Sequence, residues 1–255
     1  MREVAQRCDL PPLPAVAMRA MALVRDPEVR VEDLSSVVSS DGALAARVLR
    51  IAGSIAYAQR QPPRTLNEAI RRLGFQALRK IIVAACCRQL FSKEDPIAEA
   101  LWAHALATAL AADELGVIDG EPRGGLSFLG GLLHDLGRQV LHLAEPERYI
   151  AVAPGGIDAE RERFGMTHME VGGGLAYHWD LEDELAEAIL RHHDEAPSPL
   201  ALRIRRADRI AAATGYPSIV SEGETVEELP VDNDDLLAVS EHVAGVFDRE
   251  RSLFD

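Results

Sequence analysis
The chain has 255 residues, room for one large domain or two small ones, and at 47% hydrophobic it can bury a sizeable core. Aromatics are only 5% while Ala and Leu abound, which favours close-packed helices over a sheet. A net charge of −14 speaks against general nucleic-acid binding, no apolar run is long enough to span a bilayer, and the N-terminus lacks the apolar core of a signal peptide. The charge is uneven: residues 1–90 carry 14 basic and 8 acidic side chains, the remainder 13 and 33. That asymmetry points to two modules with different partners, or to modules that attract each other. Cys8, Cys86 and Cys87 show neither disulfide nor zinc-knuckle spacing, as expected of reduced thiols in a cytoplasm.

Residues 1–12 form a polar lead-in. Pro14 opens a helix that runs through Val16, Ala17, Met21 and Val24 to Asp26-Pro27. Val31, Leu34, Val37 and Val38 set a second short helix, Glu32 to Ser39. Asp41 is placed to cap a third, Ala43 to Ala52, which Gly53 ends. Thr65-Leu66-Asn67-Glu68 matches the capping-box pattern and opens Leu66 to Leu73, terminated by Gly74. Gln76 to Phe91 is a further apolar helix. With no alternating strand pattern anywhere, the fold class is all-α.

Beyond Asp95-Pro96 the polar residues gain chemical meaning. His104 recurs with Leu101, Thr108 and Ala111 at helical spacing and points inward, where a satisfied core histidine is the bland account. Gly116 to Gly125 is an acidic, glycine-rich loop. Leu126 to Glu145 reads as one helix with Leu129, Leu132, Leu133, Leu136, Val140 and Leu143 on one face. At about 100° per residue, His134, Asp135 and Arg138 fall on the other side, near Gly131. Two glycines thin that side, so backbone or ligand can approach closely. Pro154-Gly155-Gly156 is a second loop, and His168 opens a helix leading to Trp179. Glu184 to His193 carries Leu185, Ala188, Ile189 and His192 on one stripe, with His193 beside it; paired histidines there also complement a helix dipole. Leu200 to Ala213 sets Asp208 beside Ile204, Ala207 and Ala211, among Arg205, Arg206 and Arg209, so an Arg–Asp ion pair competes with a site role. An acidic loop over 218–235 precedes a closing amphipathic helix, Leu236 to Phe247, with Leu236, Leu237, Val239, Val243 and Val246 as its apolar residues.

Several stretches together resemble the HDOD family over roughly residues 10–215. They are Leu10-Pro11-Pro12-Leu13-Pro14, Glu32-Asp33-Leu34, Ser40-Asp41-Gly42-Ala43-Leu44-Ala45-Ala46-Arg47-Val48-Leu49, Gly53-Ser54, and Glu68-Ala69-Ile70-Arg71-Arg72-Leu73-Gly74. The family usually shows Asp-Pro at Asp41-Gly42 and Asn-Ser at Gly53-Ser54. The resemblance implies an all-helical bacterial signalling output of the HD superfamily, often without demonstrated catalysis. It divides the chain into an N-terminal helical bundle (10–95), an HD-like helical bundle (96–215), and an acidic loop with a closing helix (216–255). His104, His134-Asp135 and Asp208 stand in the order of HD-superfamily metal sites. His168 and His192-His193 match the extra histidines of two-metal members. Such imidazoles and carboxylates suit one or two divalent ions, manganese, iron, nickel or zinc, with Asp135 able to bridge two ions that position water for attack on a phosphoester. Arg138 stands where catalytic relatives usually carry Lys, and it can grip a phosphate. Gly215-Tyr216-Pro217 spells the tripeptide of the cyclic-di-GMP phosphodiesterase branch, but it follows Asp208 rather than the paired histidines and is read as chance. His142, His178 and His242 match no ligand position.

The leading expectation is a cytoplasmic signalling protein that retains the metal pocket and works through contacts with a signalling protein partner. The basic stripe Arg71, Arg72, Arg79, Lys80 and Arg88 is the candidate contact surface, with a solvated face as its bland account. The alternative is a metal-dependent phosphohydrolase acting on a nucleotide or cyclic dinucleotide. A third is a degenerate pocket whose side chains merely hydrogen-bond one another. Neither a membrane nor nucleic acid is expected as a partner.

Overall fold
A computed structural model describes residues 15–24, 26, 28–53, 62–218 and 234–254. The Leu10–Pro14 motif, Cys8, Ser54 and most of the acidic loop lie outside the described residues. Among the described residues there is no strand, as alanine- and leucine-rich periodicity requires. The N-terminal part comprises α1 (Ala15–Val24), α2 (Val31–Ser39), α3 (Gly42–Ala52) and α4 (Leu66–Arg88). Asp41 caps α3 by accepting from Leu44 N at 3.0 Å, and Thr65 caps α4 by accepting from Glu68 N at 3.2 Å. Gly74 sits inside α4 with φ 76° and ψ 167°, so the two helices expected there meet end to end across a kink. A side chain would strain that backbone.

The second part begins with α5 (Pro96–Ile118), capped by Asp95, with Pro96 at its first turn. It continues through α6 (Leu126–Leu133), α7 (Leu136–Ala144), α8 (Pro146–Val152), a 3-10 turn (Ala153–Gly155), α9 (Gly156–Phe164), α10 (His168–His178), α11 (Asp183–Arg191) and α12 (Pro199–Ala213). The loop after α5 therefore starts at Asp119 rather than Gly116. Gly116 stays helical with its Cα turned onto Ser127, where a Cβ would lie 2.9 Å from the hydroxyl. By length and composition α5 could cross a bilayer, contrary to the expectation that no run is long enough. Its most apolar window is 83% buried in the fold, however, as befits a central core helix. It packs most extensively on α6 and α12.

The closing helix α13 (Asp234–Phe254) lies against α3, α4, α5 and α12. Leu236, Val239, Val243 and Phe247 are buried, but Leu237 is exposed, so the expected apolar stripe is narrower than its sequence suggests. Phe247 stacks on Tyr216 with ring centroids 3.8 Å apart. Arg50 donates to Leu253 O at 3.0 Å, tying this helix to α3. One large apolar cluster runs from Ala17 to Phe254; Ala188, Leu200, Ala201 and Ile204 form a small satellite. Each fully buried large side chain, such as Trp102 or Ile70, contributes about 1.5–3 kcal/mol of burial.

Candidate metal centre
Two helices meet where one was expected. α6 ends at Leu133, α7 begins at Leu136, and His134-Asp135 form the turn between them, with Asp135 at φ −101°, ψ 9°. The leucine periodicity continues across the break, because Leu129, Leu132, Leu133, Leu136 and Val140 are all buried; Leu143 is 52% exposed and leaves the face. Close backbone approach pins the turn from both sides. A Cβ on Gly131 would lie 2.6 Å from Thr108 O of α5. One on Gly137 would lie 2.0 Å from His168 O of α10. Only glycine permits either contact, so α5, α6, α7 and α10 converge on the His-Asp pair.

The first cluster is His104, His134 and Asp208. His104 Nδ1 donates to Tyr216 O at 2.8 Å, and His134 Nδ1 donates to Gly131 O at 2.8 Å. A carbonyl can only accept, so Nδ1 carries the hydrogen in each ring and the neutral form of either keeps its lone pair on Nε2. Those two Nε2 atoms face each other at 3.2 Å. Two lone pairs cannot hydrogen-bond; the arrangement calls for a cation between them. Asp208 Oδ1 lies 3.4 Å from His104 Nε2, so the carboxylate turns to the imidazole. Burial first, and then the neighbouring rings against the pull of Asp135, push His134 down to about 4.

The second cluster is Asp135, His168, His192 and His193, with ligand atoms within 4.8 Å of one another. His168 Nε2 is 3.3 Å and His192 Nε2 3.8 Å from Asp135 Oδ1. These three atoms are buried and have no hydrogen-bond partner. Leaving such groups unpaired costs roughly 1–3 kcal/mol each, so these three atoms call for a partner that the surrounding side chains do not supply. His192 Nδ1 donates to Ile189 O at 2.7 Å. His193 packs on His192 with ring centroids 4.2 Å apart, and burial, then that neighbour, push it down to about 2. Asp135 joins the clusters, since its Oδ2 lies 3.7 Å from His104 Nε2 and 3.8 Å from His134 Nε2.

A ring of polar partners surrounds these groups. Arg138 Nε donates to Asp135 Oδ2 at 2.8 Å, and its Nη1 to Glu160 Oε1 at 3.1 Å. Burial opposes the Asp135 charge, but Arg138 holds the carboxyl well below the usual range. Burial likewise opposes Glu160, which the His168 hydrogen bond and Arg138 keep ionised. Ser218 Oγ donates to Asp135 Oδ2 at 2.7 Å. Neutral imidazoles beside ionised carboxylates, with orphaned buried acceptors, are the donor set of a borderline divalent ion. The residues present therefore fit such a group.

The structure brings together His104, His134, Asp135, His168, His192, His193 and Asp208. Arg138 also lies beside them, but its guanidinium is directed at two carboxylates rather than outward. Helix bounds differ slightly from expectation: α11 stops at Arg191, leaving His192 and His193 in the following turn. The sequence reading missed three supports. Glu160 sits on α9, where no motif or apolar period marks it. The Tyr216 carbonyl lies in the tripeptide read as chance, and nothing in a backbone acceptor shows in sequence. Thr167 and Glu170 form a reciprocal capping box at 3.3 and 2.9 Å that seats His168; the Thr-x-x-Glu spacing carried that signal. The basic stripe is corrected. Arg79 and Arg88 are 7% and 5% exposed and ion-pair with Glu182 and Glu99, and Lys80 pairs with Asp113 at 3.3 Å. Arg71 and Arg72 meet Glu32 and Glu68, and Arg71 at 64% side-chain exposure stays on a solvated face, so only the Arg71 end of the stripe is surface. His142, given no site role, bonds Asp95 at 2.6 Å.

Comparison with known proteins agrees with this architecture. An HDOD domain protein from Geobacter sulfurreducens is 24% identical, with TM-score 0.72 over 100% of this chain and 95% of its own. A candidate phosphohydrolase from Shewanella amazonensis is 24% identical, with TM-score 0.76 over 99% and 98%. A candidate signal transduction protein from Marinobacter aquaeolei is 26% identical, with TM-score 0.68 over 96% of this chain and 59% of its own. An uncharacterized protein of Treponema pallidum is 26% identical over 201 residues; the match takes in 75% of this chain and 39% of that relative's length. Residues 10–195 match the HDOD domain, and the chain belongs to that family.

Proposed function
We propose that the pocket is a two-ion divalent-metal centre and that the protein is a metal-dependent phosphohydrolase acting on a phosphoester of a nucleotide or cyclic dinucleotide. The observation that supports it is the opposed Nε2 atoms of His104 and His134 at 3.2 Å, beside the orphaned atoms of the second cluster. His104, His134 and Asp208 would hold one ion; His168, His192 and His193 would hold the other, with Asp135 between. Bound there, the ions supply Lewis acidity and lower the pKa of water. The chain's own residues orient and exclude. His104 and His134 are held by carbonyls, Asp135 by Arg138 and Ser218, and the four imidazoles of His104, His134, His168 and His192 are sealed from solvent. Asp208, at 25% side-chain exposure, and the half-buried His193 form the open side, where a substrate phosphate would enter.

A second reading is a regulator that works through a signalling protein partner and carries the metal without turnover. Arg138 favours it, because a guanidinium bound to two carboxylates is not free to grip phosphate. The burial of Arg79 and Arg88 speaks the other way, since it narrows the contact surface first expected to the exposed Arg71 end of the stripe. Protein purified without chelator should contain one to two equivalents of divalent metal by elemental analysis. It should also hydrolyse bis(p-nitrophenyl) phosphate, with loss of both on His134→Ala. Metal without turnover on any phosphodiester supports the regulator.

A further inference from the structure
The four buried imidazoles of the pocket all donate from Nδ1, but not to the same kind of group. His104, His134 and His192 donate to backbone carbonyls. His168 donates to a side chain, Glu160 Oε2, at 2.7 Å. Glu160 is fully buried, stands on α9 away from the pocket lining, and also accepts the His168 backbone N–H at 2.8 Å. Its other oxygen accepts from Arg138, which reaches Asp135. His168 Nε2 then closes the circuit at 3.3 Å from Asp135 Oδ1. A buried carboxylate is costly, and a plain ion pair with Arg138 would not need two hydrogen bonds to His168.

We infer that Glu160 and Arg138 are positioning residues for the second cluster. Glu160 fixes His168 as the Nδ1–H tautomer and raises the basicity of its Nε2. Arg138 braces Glu160 against Asp135, so Asp135 Oδ1 and His168 Nε2 stay open toward a divalent cation. Arg138 thus serves the site through carboxylates rather than by touching phosphate. The inference rests on the metal-centre reading, and it predicts that the carboxylate-backed cluster responds to Glu160 while the carbonyl-backed one does not.

The test uses the full chain, stripped of metal, then titrated with Zn2+. In the stripped wild type, a long-range 1H–15N spectrum should show His168 protonated on Nδ1 and bare on Nε2. Glu160→Ala should scramble that pattern for His168 alone and weaken one of two zinc equivalents about 10–100-fold. Glu160→Gln, which keeps an acceptor, should lose less. Arg138→Lys, whose ammonium lacks the planar fork that meets Asp135 and Glu160 from two separate nitrogens, should weaken the same equivalent. Wild-type His168 protonated on Nε2, or Glu160→Ala taking up zinc as the wild type does, overturns the inference. If the wild type binds no zinc, the metal reading fails, and the tautomer of His168 still decides what Glu160 does. That spectrum needs no variant, so an unfolded substitution leaves the inference decidable.

Discussion
The helices before Arg88 and those after Asp95 both bury polar groups, to opposite ends. In the first region, Arg79 and Arg88 are buried against carboxylates, and Arg88 also donates to Phe91 O at 2.7 Å. Charge meets charge, and the result is a tie between elements. In the second region, Asp135, His168 and His192 leave atoms unpaired, and seven donor-bearing side chains converge. Burial of a polar group alone says nothing about function. Arg79 Nε is unpaired too, so what separates the regions is that in the second the unpaired atoms of three side chains face one another across a single pocket.

The largest expected effect sharpens this contrast on the structural side. Arg88→Met leaves Phe91 O without its donor and Glu99 with Arg251 as its remaining partner, and should cost about 3 kcal/mol by urea denaturation, with metal content unchanged. Gly137→Ala should cost about 1–3 kcal/mol and also empty the site, because a Cβ 2.0 Å from His168 O forces α7 off α10. If that variant held its metal and its stability, the pinned turn would not be what assembles the cluster.

Acid should act on the second region. In metal-free protein, His134 titrates near 4 folded against an ordinary 6.5. Between those values the unfolded chain binds a proton the folded one refuses. Stability is therefore full above about pH 6.5 and falls as pH drops, by on the order of 3 kcal/mol for this one group at pH 4. Denaturation midpoints taken across pH 4–7 check the slope, and His134→Gln should flatten it.

How far these regions were legible follows from what periodicity encodes. The caps at Asp41 and Thr65, the stop at Gly74 and the inward faces of His104 and His192 are local and were readable. The break at His134-Asp135 was not, because the leucine rows stay in phase across it and only the backbone approaches at Gly131 and Gly137 reveal it. The basic stripe misled for a related reason. Its cations lie on α4, and the carboxylates that pair with Arg79 and Lys80 come from Glu182, just before α11, and from Asp113 on α5, far along the chain. Likewise, Glu160 and the Tyr216 carbonyl meet the pocket only through tertiary packing.

The smallest expected effects are two caps of like chemistry. Asp41→Ala and Thr167→Ala should each cost about 1 kcal/mol in thermal or urea unfolding. Only the second should also weaken metal binding, because His168 follows directly from its cap. Equal metal affinity in both would erase the distinction between the regions at this level.

The account stands or falls on whether the seven side chains hold metal. Crystals grown from protein purified without chelator, measured for anomalous scattering at the edges of manganese, iron, nickel and zinc, answer this directly. The account predicts one or two peaks, one among His104, His134 and Asp208 and one among His168, His192 and His193, with Asp135 between. A flat anomalous map, with His104 and His134 joined by a shared proton instead, would contradict it.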